Sequence, residues 1–183
     1  DINSDAFFER LKALKTLDGL LNNAGINRVA PMLEQTDENI DDVIAMNIRS
    51  VYKISQAALP ALINSGAGAV VNMSSQMGFV GSPKRTLYCM SKHAVEGLSK
   101  AMAVELADKN VRVNTVAPTF VETPMTKPML EDATFKQFVY DMIPLKKIAQ
   151  TDDIANACVF LLSGLSAMIT GTSIKIDGGW TAQ

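Results

Sequence analysis

Apolar residues follow two patterns along the chain, and each pattern predicts one kind of secondary structure. Where they recur every three or four positions, the spacing is that of one helix face. This pattern predicts helices at residues 4–14, 39–62, 131–142 and 154–162, and along the segment that follows residue 88. Short apolar runs predict strands at residues 17–21, 69–73, 111–117 and 168–176. The run at residues 69–73, bounded by Gly and Ser, is typical of strands buried in parallel sheets.

One polar residue interrupts the apolar face of the helix predicted at residues 39–62. Asn47 lies among the positions predicted to be buried, and a buried amide needs hydrogen-bond partners. The residues alone favour an amide tied to a backbone carbonyl in the core. Thr36, just before this helix, is predicted to cap its first turn.

The composition is that of one globular domain, residues 1–183, with a hydrophobic core. Of 183 residues, 48% are hydrophobic and 20% are charged, and the formal net charge is −2. Because there is no basic excess, we expect no nucleic-acid partner. Because no apolar run is long enough to span a bilayer and no charge run is present, we expect no membrane association. No leader pattern precedes the first helix, so the expected location is the cytoplasm.

The cysteines and the single histidine suggest no metal site. Cys89 and Cys158 lack the spacing of metal ligands and are expected to be reduced. His93 follows Lys92 directly, about 100° round the helix from it, so we interpret it as a surface or packing residue.

The strongest chemical signal lies between residues 72 and 92. Tyr88 and Lys92 are four positions apart, which places both on one helix face, about 6 Å apart along the axis. A nearby ammonium favours the phenolate and so lowers the pKa of a phenol. Ser75, thirteen positions before Tyr88, offers a hydroxyl from the end of a strand, with Ser74 as the second candidate. These groups predict a site that exchanges a proton with a carbonyl or alcohol oxygen.

Five spaced motifs together resemble the short-chain dehydrogenase/reductase family. In chain order they are Asn22-Asn23-Ala24-Gly25, Asn47, Ser75, Tyr88-x-x-x-Lys92 and Asp177-Gly-Gly-Trp180. The resemblance covers nearly the whole chain. It implies an α/β fold with a Rossmann-like, doubly wound parallel sheet in a single domain. The family also has a glycine-rich phosphate loop in its first βα turn. No such loop occurs in this sequence, so we expect that loop and the first strands to be absent.

The resemblance assigns a role to each residue of the predicted catalytic site. Tyr88 would exchange the proton with the substrate oxygen. Lys92 would lower the pKa of Tyr88 and hold the nicotinamide ribose. Ser75 would bind the substrate oxygen. Asn47 would hold a water molecule that completes a proton relay, a role compatible with that of a core amide.

The resemblance also implies that the cofactor is NAD or NADP. Besides Tyr88 and Lys92, the implied contacts are Asp1 with the adenine, Asn23, Ala24 and Gly25 with the adenosine ribose, and Val121 and Thr123 with the nicotinamide carboxamide and a nearby phosphate. For Asp1, a plain terminal residue is the alternative. The choice between NAD and NADP is made in a part of the family fold that we expect to be absent.

Several positions near the site leave alternatives open. The family usually has Gly after the Pro that precedes Thr119, and Thr there is costly if the backbone needs a positive φ. Lys84 and Arg85 are expected to be solvated, with a cationic contact to substrate as the alternative. The resemblance also implies a substrate lid between the helix predicted at residues 131–142 and Pro144-Leu145, and its apolar content indicates a pocket with an apolar wall.

The predicted function is hydride transfer between NAD(P) and a secondary alcohol or ketone of the polyol, sugar, hydroxy acid or 3-oxoacyl type. The implied partners are a small-molecule substrate and further copies of the chain, in a dimer or tetramer that packs through the helices at residues 39–62 and 88–106. One alternative is a catalytically inactive fold relative that acts as a binding or structural subunit, for which the absent glycine loop argues. An esterase using Ser75 would need a histidine within reach, and His93 is on the wrong helix face.

Overall fold

Four parallel strands form the sheet of this protein, in the order β1-β2-β3-β4. The computed structural model describes residues 2, 4–124 and 126–183. The strands are β1 (Gly19–Asn22), β2 (Ala69–Met73), β3 (Arg112–Pro118) and β4 (Ser173–Ile176). All four predicted strands are present, but β4 is shorter than predicted. Gly171 adopts a φ of 71°, in the left-handed region, so the chain turns before the strand begins.

Seven α-helices lie in the described part of the chain. They are α1 (Asp5–Lys12), α2 (Asp37–Val43), α3 (Ser50–Asn64), α4 (Thr86–Glu105), α5 (Lys127–Leu130), α6 (Ala133–Met142) and α7 (Thr151–Leu162). Thr36 caps α2 as predicted, accepting a hydrogen bond from the Asn39 backbone. Within the described ranges, no helix combines the length and the apolar character needed to cross a membrane.

Helices cover both faces of the sheet, which explains why its strands read as unbroken apolar runs. On one face, Val70 and Val113 pack with residues of α3 and α4. On the other face, Val71 and Val116 pack with residues of α7. Successive residues of β2 thus serve opposite layers, as the two-residue period of a strand requires. The predicted α/β fold with a doubly wound parallel sheet is confirmed.

The long helix predicted at residues 39–62 is not uniform. Between α2 and α3 the backbone forms a π-helical turn, Ile44–Arg49, which contains Asn47. Such turns are rare and are often found at functional sites. An apolar repeat does not reveal them, because the residues on both sides keep their helical spacing.

A third apolar cluster forms a wall beyond the carboxyl ends of β2 and β3. Its buried members are Met77, Phe120, Val139 and Ile143, and Met129, Phe135 and Trp180 pack against them. The helix predicted at residues 131–142 is present as α6, which begins two residues later because Asp132 caps it, accepting a hydrogen bond from the Phe135 backbone at 2.8 Å. The short helix α5 before it was not predicted.

Candidate active site

Ser75, Tyr88 and Lys92 come together beyond the carboxyl end of β2. Ser75 lies two residues after the strand, and Tyr88 and Lys92 follow one another by one turn of α4. Lys92 Nζ is 5.5 Å from the centroid of the Tyr88 ring. All three line a cavity of about 830 Å³. The structure thus places these predicted catalytic side chains in one site, at the edge where open α/β sheets bind ligands.

The Lys92 ammonium is held deep in the protein. The residue is 5% exposed, and Nζ donates a hydrogen bond to the Met73 carbonyl at 2.7 Å. Burial lowers the pKa of Lys92 to about 8, and the Glu96 carboxylate opposes that shift in part. The group is therefore fixed in position and titrates close to neutral pH.

The Tyr88 phenol has a raised pKa, and burial is the main cause. Its interaction with the Ser75 side chain and the positive charge of Arg85 both lower this pKa, without overcoming the effect of burial. The sequence predicts a pKa lowered by Lys92. The described residues give the opposite net direction, because desolvation outweighs the favourable contacts.

The two serines after β2 have different surroundings. Ser75 Oγ accepts a hydrogen bond from the Met77 backbone at 3.2 Å and donates one to the Pro118 carbonyl at 3.4 Å. Ser74 Oγ is buried and has no partner among the described residues. Only Ser75 interacts with the Tyr88 phenol. The arrangement therefore favours Ser75 over Ser74 as the substrate-binding hydroxyl.

Asn47 ties the π-helical turn to the loop after β1. Its Nδ2 donates to the Ile26 carbonyl at 2.8 Å and to Ser91 Oγ at 3.0 Å, while its Oδ1 accepts from the Ile26 amide at 2.8 Å. Ser91 Oγ in turn donates to the Tyr88 carbonyl at 2.8 Å. The predicted tie to a backbone carbonyl is present. Asn47 therefore couples this loop to the helix that carries Tyr88.

The turn at Asn23, Ala24 and Gly25 lines the same cavity. A Cβ on Gly25 would lie 3.4 Å from Asn47 Oδ1 and 3.7 Å from Lys92 Nζ. Gly25 therefore brings the turn's backbone close to two of the predicted catalytic groups. A ligand in the cavity meets backbone atoms here, as a small-residue turn after a strand allows.

Val121 and Thr123 line the cavity from the segment after β3. Residues 121 and 149 form an isolated parallel bridge. The Thr123 backbone amide donates to Thr126 Oγ1 at 3.1 Å, and the Thr126 hydroxyl donates to the Val121 carbonyl. These bonds hold the segment in place. Asp1, the remaining predicted cofactor contact, lies outside the described residues.

Thr119 fits the loop without backbone strain. It is not among the described non-glycine residues with positive φ, so the expected cost of replacing Gly does not arise. Its hydroxyl oxygen is buried, faces no hydrogen-bond partner in the described structure, and belongs to a residue that lines the cavity.

The described residues offer no support for metal chemistry or for an esterase. They contain no group of three or more His, Cys, Asp or Glu side chains arranged to hold a metal ion. His93 is exposed, and its Nδ1 lies 2.8 Å from the Cys89 carbonyl. It is therefore a surface residue, as predicted, and does not contact Ser75.

Arg85 was predicted to be solvated, and that prediction is wrong. The residue, which directly precedes α4, is 6% exposed. Its NH2 group contacts the Met129 sulfur at 3.5 Å. Lys84, its neighbour, is exposed as predicted. Both cations lie in a segment rich in Gly and Pro that predicts a loop, and nothing in the sequence indicates that one would be buried and the other exposed.

Glu96 is a buried carboxylate that the sequence reasoning missed. It lies one turn beyond Lys92 in α4 and accepts hydrogen bonds from Thr115 Oγ1 at 3.0 and 3.1 Å and from Ser173 Oγ at 3.3 Å. Its helical spacing from Lys92 was the available signal, since residues four apart face the same side.

An amide and hydroxyl network crosses the sheet beside the site. Asn22 Nδ2 donates to Asn72 Oδ1 at 2.8 Å and to Ser55 Oγ at 3.0 Å, and Asn72 Nδ2 donates to Ser99 Oγ at 2.8 Å. The network joins β1, β2, α3 and α4. It fixes the strand ends from which the turn at residues 23–25 and Ser75 emerge.

A doubly wound parallel sheet with a serine, a tyrosine and a lysine brought together at its carboxyl edge defines a class of α/β proteins. Comparison with known proteins agrees with that class. The family described as Enoyl-(Acyl carrier protein) reductase matches residues 2–181. The chain belongs to the short-chain dehydrogenase/reductase family.

Three similar proteins illustrate the relationship. The 3-oxoacyl-(acyl-carrier-protein) reductase FabG of Thermotoga maritima is 41% identical over 163 residues, which cover 89% of this chain and 65% of that protein. The L-xylulose reductase of Bos taurus is 38% identical over 179 residues, 97% of this chain and 73% of that protein. A gluconate 5-dehydrogenase from Burkholderia cenocepacia, solved with NADP and tartrate, is 28% identical with a TM-score of 0.92, covering 97% of this chain and 70% of that one.

The chain thus spans 65% of the length of the Thermotoga reductase. Family and fold follow from the matched residues, since they include the whole described sheet.

Proposed function

We propose that this chain carries the catalytic part of an NAD(P)-dependent oxidoreductase that interconverts a secondary alcohol and a ketone. One observation carries the proposal. Tyr88, Ser75 and Lys92 line the same cavity. The relatives named above are reductases or dehydrogenases of alcohol or ketone substrates, which supports the same chemistry.

The cavity suits a nicotinamide dinucleotide, although the glycine-rich loop is absent from the sequence. The close backbone approach at Gly25 and the unpartnered Thr119 hydroxyl both offer contacts to a polar ligand. We infer that Lys92, the turn at residues 23–25, Val121 and Thr123 hold it. When bound, the cofactor supplies or accepts the hydride. The dinucleotide is NAD or NADP, and NADP bound to the Burkholderia dehydrogenase supports the latter.

The chain's own residues handle the proton. Tyr88 takes the hydroxyl proton of the alcohol or returns it to the carbonyl oxygen, and Ser75 donates a hydrogen bond to that oxygen as charge develops. The buried ammonium of Lys92 favours the phenolate form of Tyr88 when both groups are desolvated. Asn47 positions the loop and α4 relative to each other, and we infer that it also binds the relay water.

The proposal also includes the assembly and the cellular location of the protein. We infer a homo-oligomer, dimer or tetramer, because α4 exposes Met90 and Val104 and α3 exposes Tyr52. We infer a cytoplasmic location, supported by two free cysteines. Cell fractionation tests the location: recovery with a membrane or secreted fraction would contradict it.

The Tyr88→Phe variant tests the proposed reaction. Removing the phenol oxygen takes away the proton donor, so we expect kcat to fall about 100-fold or more. The measurement is the change in nicotinamide absorbance with a panel of secondary alcohols and ketones. The matched control is Tyr52→Phe, which removes an exposed hydroxyl and is expected to keep the parental rate. Retained turnover in Tyr88→Phe would refute Tyr88 as the proton donor.

A further inference from the structure

The guanidinium of Arg85 is buried and has no anionic partner among the residues that the structure describes. The residue is 6% exposed. Its described polar side-chain contact is the sulfur of Met129, 3.5 Å from NH2. Among the residues that the structure describes, the ion pairs join other side chains, and none includes Arg85.

Such a group is costly to bury alone. A guanidinium has five N–H donors, and a thioether sulfur is a weak acceptor. A buried charge is normally paired, because desolvation of an unpaired ion is strongly unfavourable. An anion that enters this position would therefore gain a strong, two-point hydrogen-bonded contact.

The position of Arg85 places it beside the reacting groups. It is the residue directly before α4 and precedes Tyr88 by three residues. Its charge also acts on the Tyr88 phenol. Met129, its contact, belongs to α5, and Met129 and Tyr88 both pack against the same apolar wall. Arg85 thus lies close to Tyr88 and to α5.

We propose that Arg85 binds a carboxylate of the substrate, so that the site acts on hydroxy acids and their oxo acids. The proposal rests on the proposed oxidoreductase function and names its substrate class. Arg85 carries a single charge, which matches a carboxylate better than a phosphate group with a charge near −2. The apolar wall beside it suits the carbon skeleton of such an acid. The flexible side chain of Met129 contacts the guanidinium and would be displaced when the acid binds.

The experiment compares acids with neutral counterparts of nearly the same shape. The pairs are lactate and lactamide, 3-hydroxybutanoate and 3-hydroxybutanamide, and gluconate and gluconamide. The variants are Arg85→Met, which removes the charge at similar length, and Arg85→Lys, which keeps the charge but not the planar fork. Lys84→Met is the matched control, since it removes the exposed neighbouring charge. Thermal melting of each variant verifies folding.

We expect the parent protein to prefer at least one acid over its amide. Arg85→Met should lower kcat/KM for that acid about 10- to 100-fold, as loss of a charged hydrogen bond predicts, and leave the amide nearly unchanged. For the same acid, kcat/KM of Arg85→Lys should lie between those of the parent and Arg85→Met, and kcat/KM of Lys84→Met should equal that of the parent. An equal loss on acid and amide would overturn the proposal and assign Arg85 to the phenol of Tyr88. A parent with no preference for any acid would also overturn it.

A binding measurement separates this proposal from the proposed reaction. Calorimetric titration of the same acids and amides needs no turnover. If the parent binds an acid without converting it, and Arg85→Met loses that binding, the carboxylate site stands and the proposed reaction fails. If the parent converts only neutral alcohols and binds no acid, the reaction stands and the carboxylate site fails.

Discussion

At the scale of single residues, burial has the largest effect on the pKa values of the two cations near the site. Lys92 and Arg85 both have lowered pKa values, and burial is the largest cause for each. The cost of burying the Lys92 ammonium is partly offset by its hydrogen bond to the Met73 carbonyl and by the charge of Glu96. The Arg85 guanidinium has only the Met129 sulfur as a described hydrogen-bond contact. Lys92 is therefore held in place by the protein itself, whereas Arg85 remains free to bind a carboxylate of the substrate.

The pH dependence of stability follows from Lys92. Its pKa is about 8 in the folded protein against an ordinary value of 10.5, so the unfolded chain binds more protons between those values. The free energy of unfolding should therefore rise with pH across this window, by about 3 kcal/mol in total, and this contribution should be lost by the time the pH has fallen below about 8.

Urea unfolding at about one-unit steps from roughly pH 7 to pH 10 measures this effect. The comparison is the parent minus Lys92→Met, which lacks the titrating group. The difference should grow with pH in favour of the parent. A difference that stays constant would contradict the lowered pKa of Lys92.

Residue spacing predicted that Ser75, Tyr88 and Lys92 share one site, but not how deeply that site is buried. Tyr88, Lys92 and Ser75 follow from spacing because a helix turn and a strand end fix their relative positions. The burial of Arg85 could not be predicted, because it depends on α5 and α6 folding over the start of α4. The net rise in the pKa of Tyr88 has the same origin, since desolvation comes from the tertiary fold and not from neighbours in sequence.

At the scale of elements, the short loop after β2 determines where Ser75 lies. A 3-10 turn, Gln76–Gly78, follows Ser75 directly and packs against α4. A Cβ on Gly78 would lie 2.8 Å from Ser74 Oγ, 3.2 Å from Glu96 Cγ and 3.2 Å from the Lys92 carbonyl. Contacts this short require Gly at the position.

Gly78→Ala should therefore displace the turn and Ser75 with it. We expect a loss of about 1–3 kcal/mol in the free energy of unfolding, the usual cost of overpacking, together with a lower kcat. Gly81→Ala is the matched control in the same loop, because nothing lies within 4 Å of its added Cβ. Urea unfolding and steady-state kinetics on both variants check this. If the two variants have the same free energy of unfolding and the same kcat, the turn accommodates a Cβ at residue 78 and the prediction is wrong.

The element pattern was predictable where one face of an element is apolar throughout. The strands and α3 follow from their buried residues. The π-helical turn at Ile44–Arg49 and the short helix α5 were not predicted. The start of α6 depends on a local hydrogen bond from the Phe135 amide to Asp132, which an apolar repeat does not record.

At the scale of the whole molecule, one side of α4 lacks a covering layer. Met90 and Val104 are exposed there, and an added Cβ on Gly97 would meet nothing within 4 Å. An apolar helix face with small residues suits close packing against another helix. The proposed homo-oligomer would cover this face.

Val104→Glu should therefore weaken association between copies of the chain. Placing a charge in a buried interface is costly, so we expect a smaller mass by light scattering at equal protein concentration. Met168→Glu is the control, since Met168 is exposed and lies outside α4, in the segment between α7 and β4. A parent that is already monomeric, or equal masses for both variants, would contradict an interface through this face.

The amide network between β1 and β2 also bears on how the chain reaches its fold. Asn22 and Asn72 lie directly opposite each other in the ladder. Sliding β1 along β2 by one position would turn the Asn22 amide away from Ser55 and Asn72 and toward the mainly apolar layer of Val71 and α7. Misaligned sheets are thereby penalised during folding, and the same pair of amides that steadies the finished site also selects the one alignment in which a site exists.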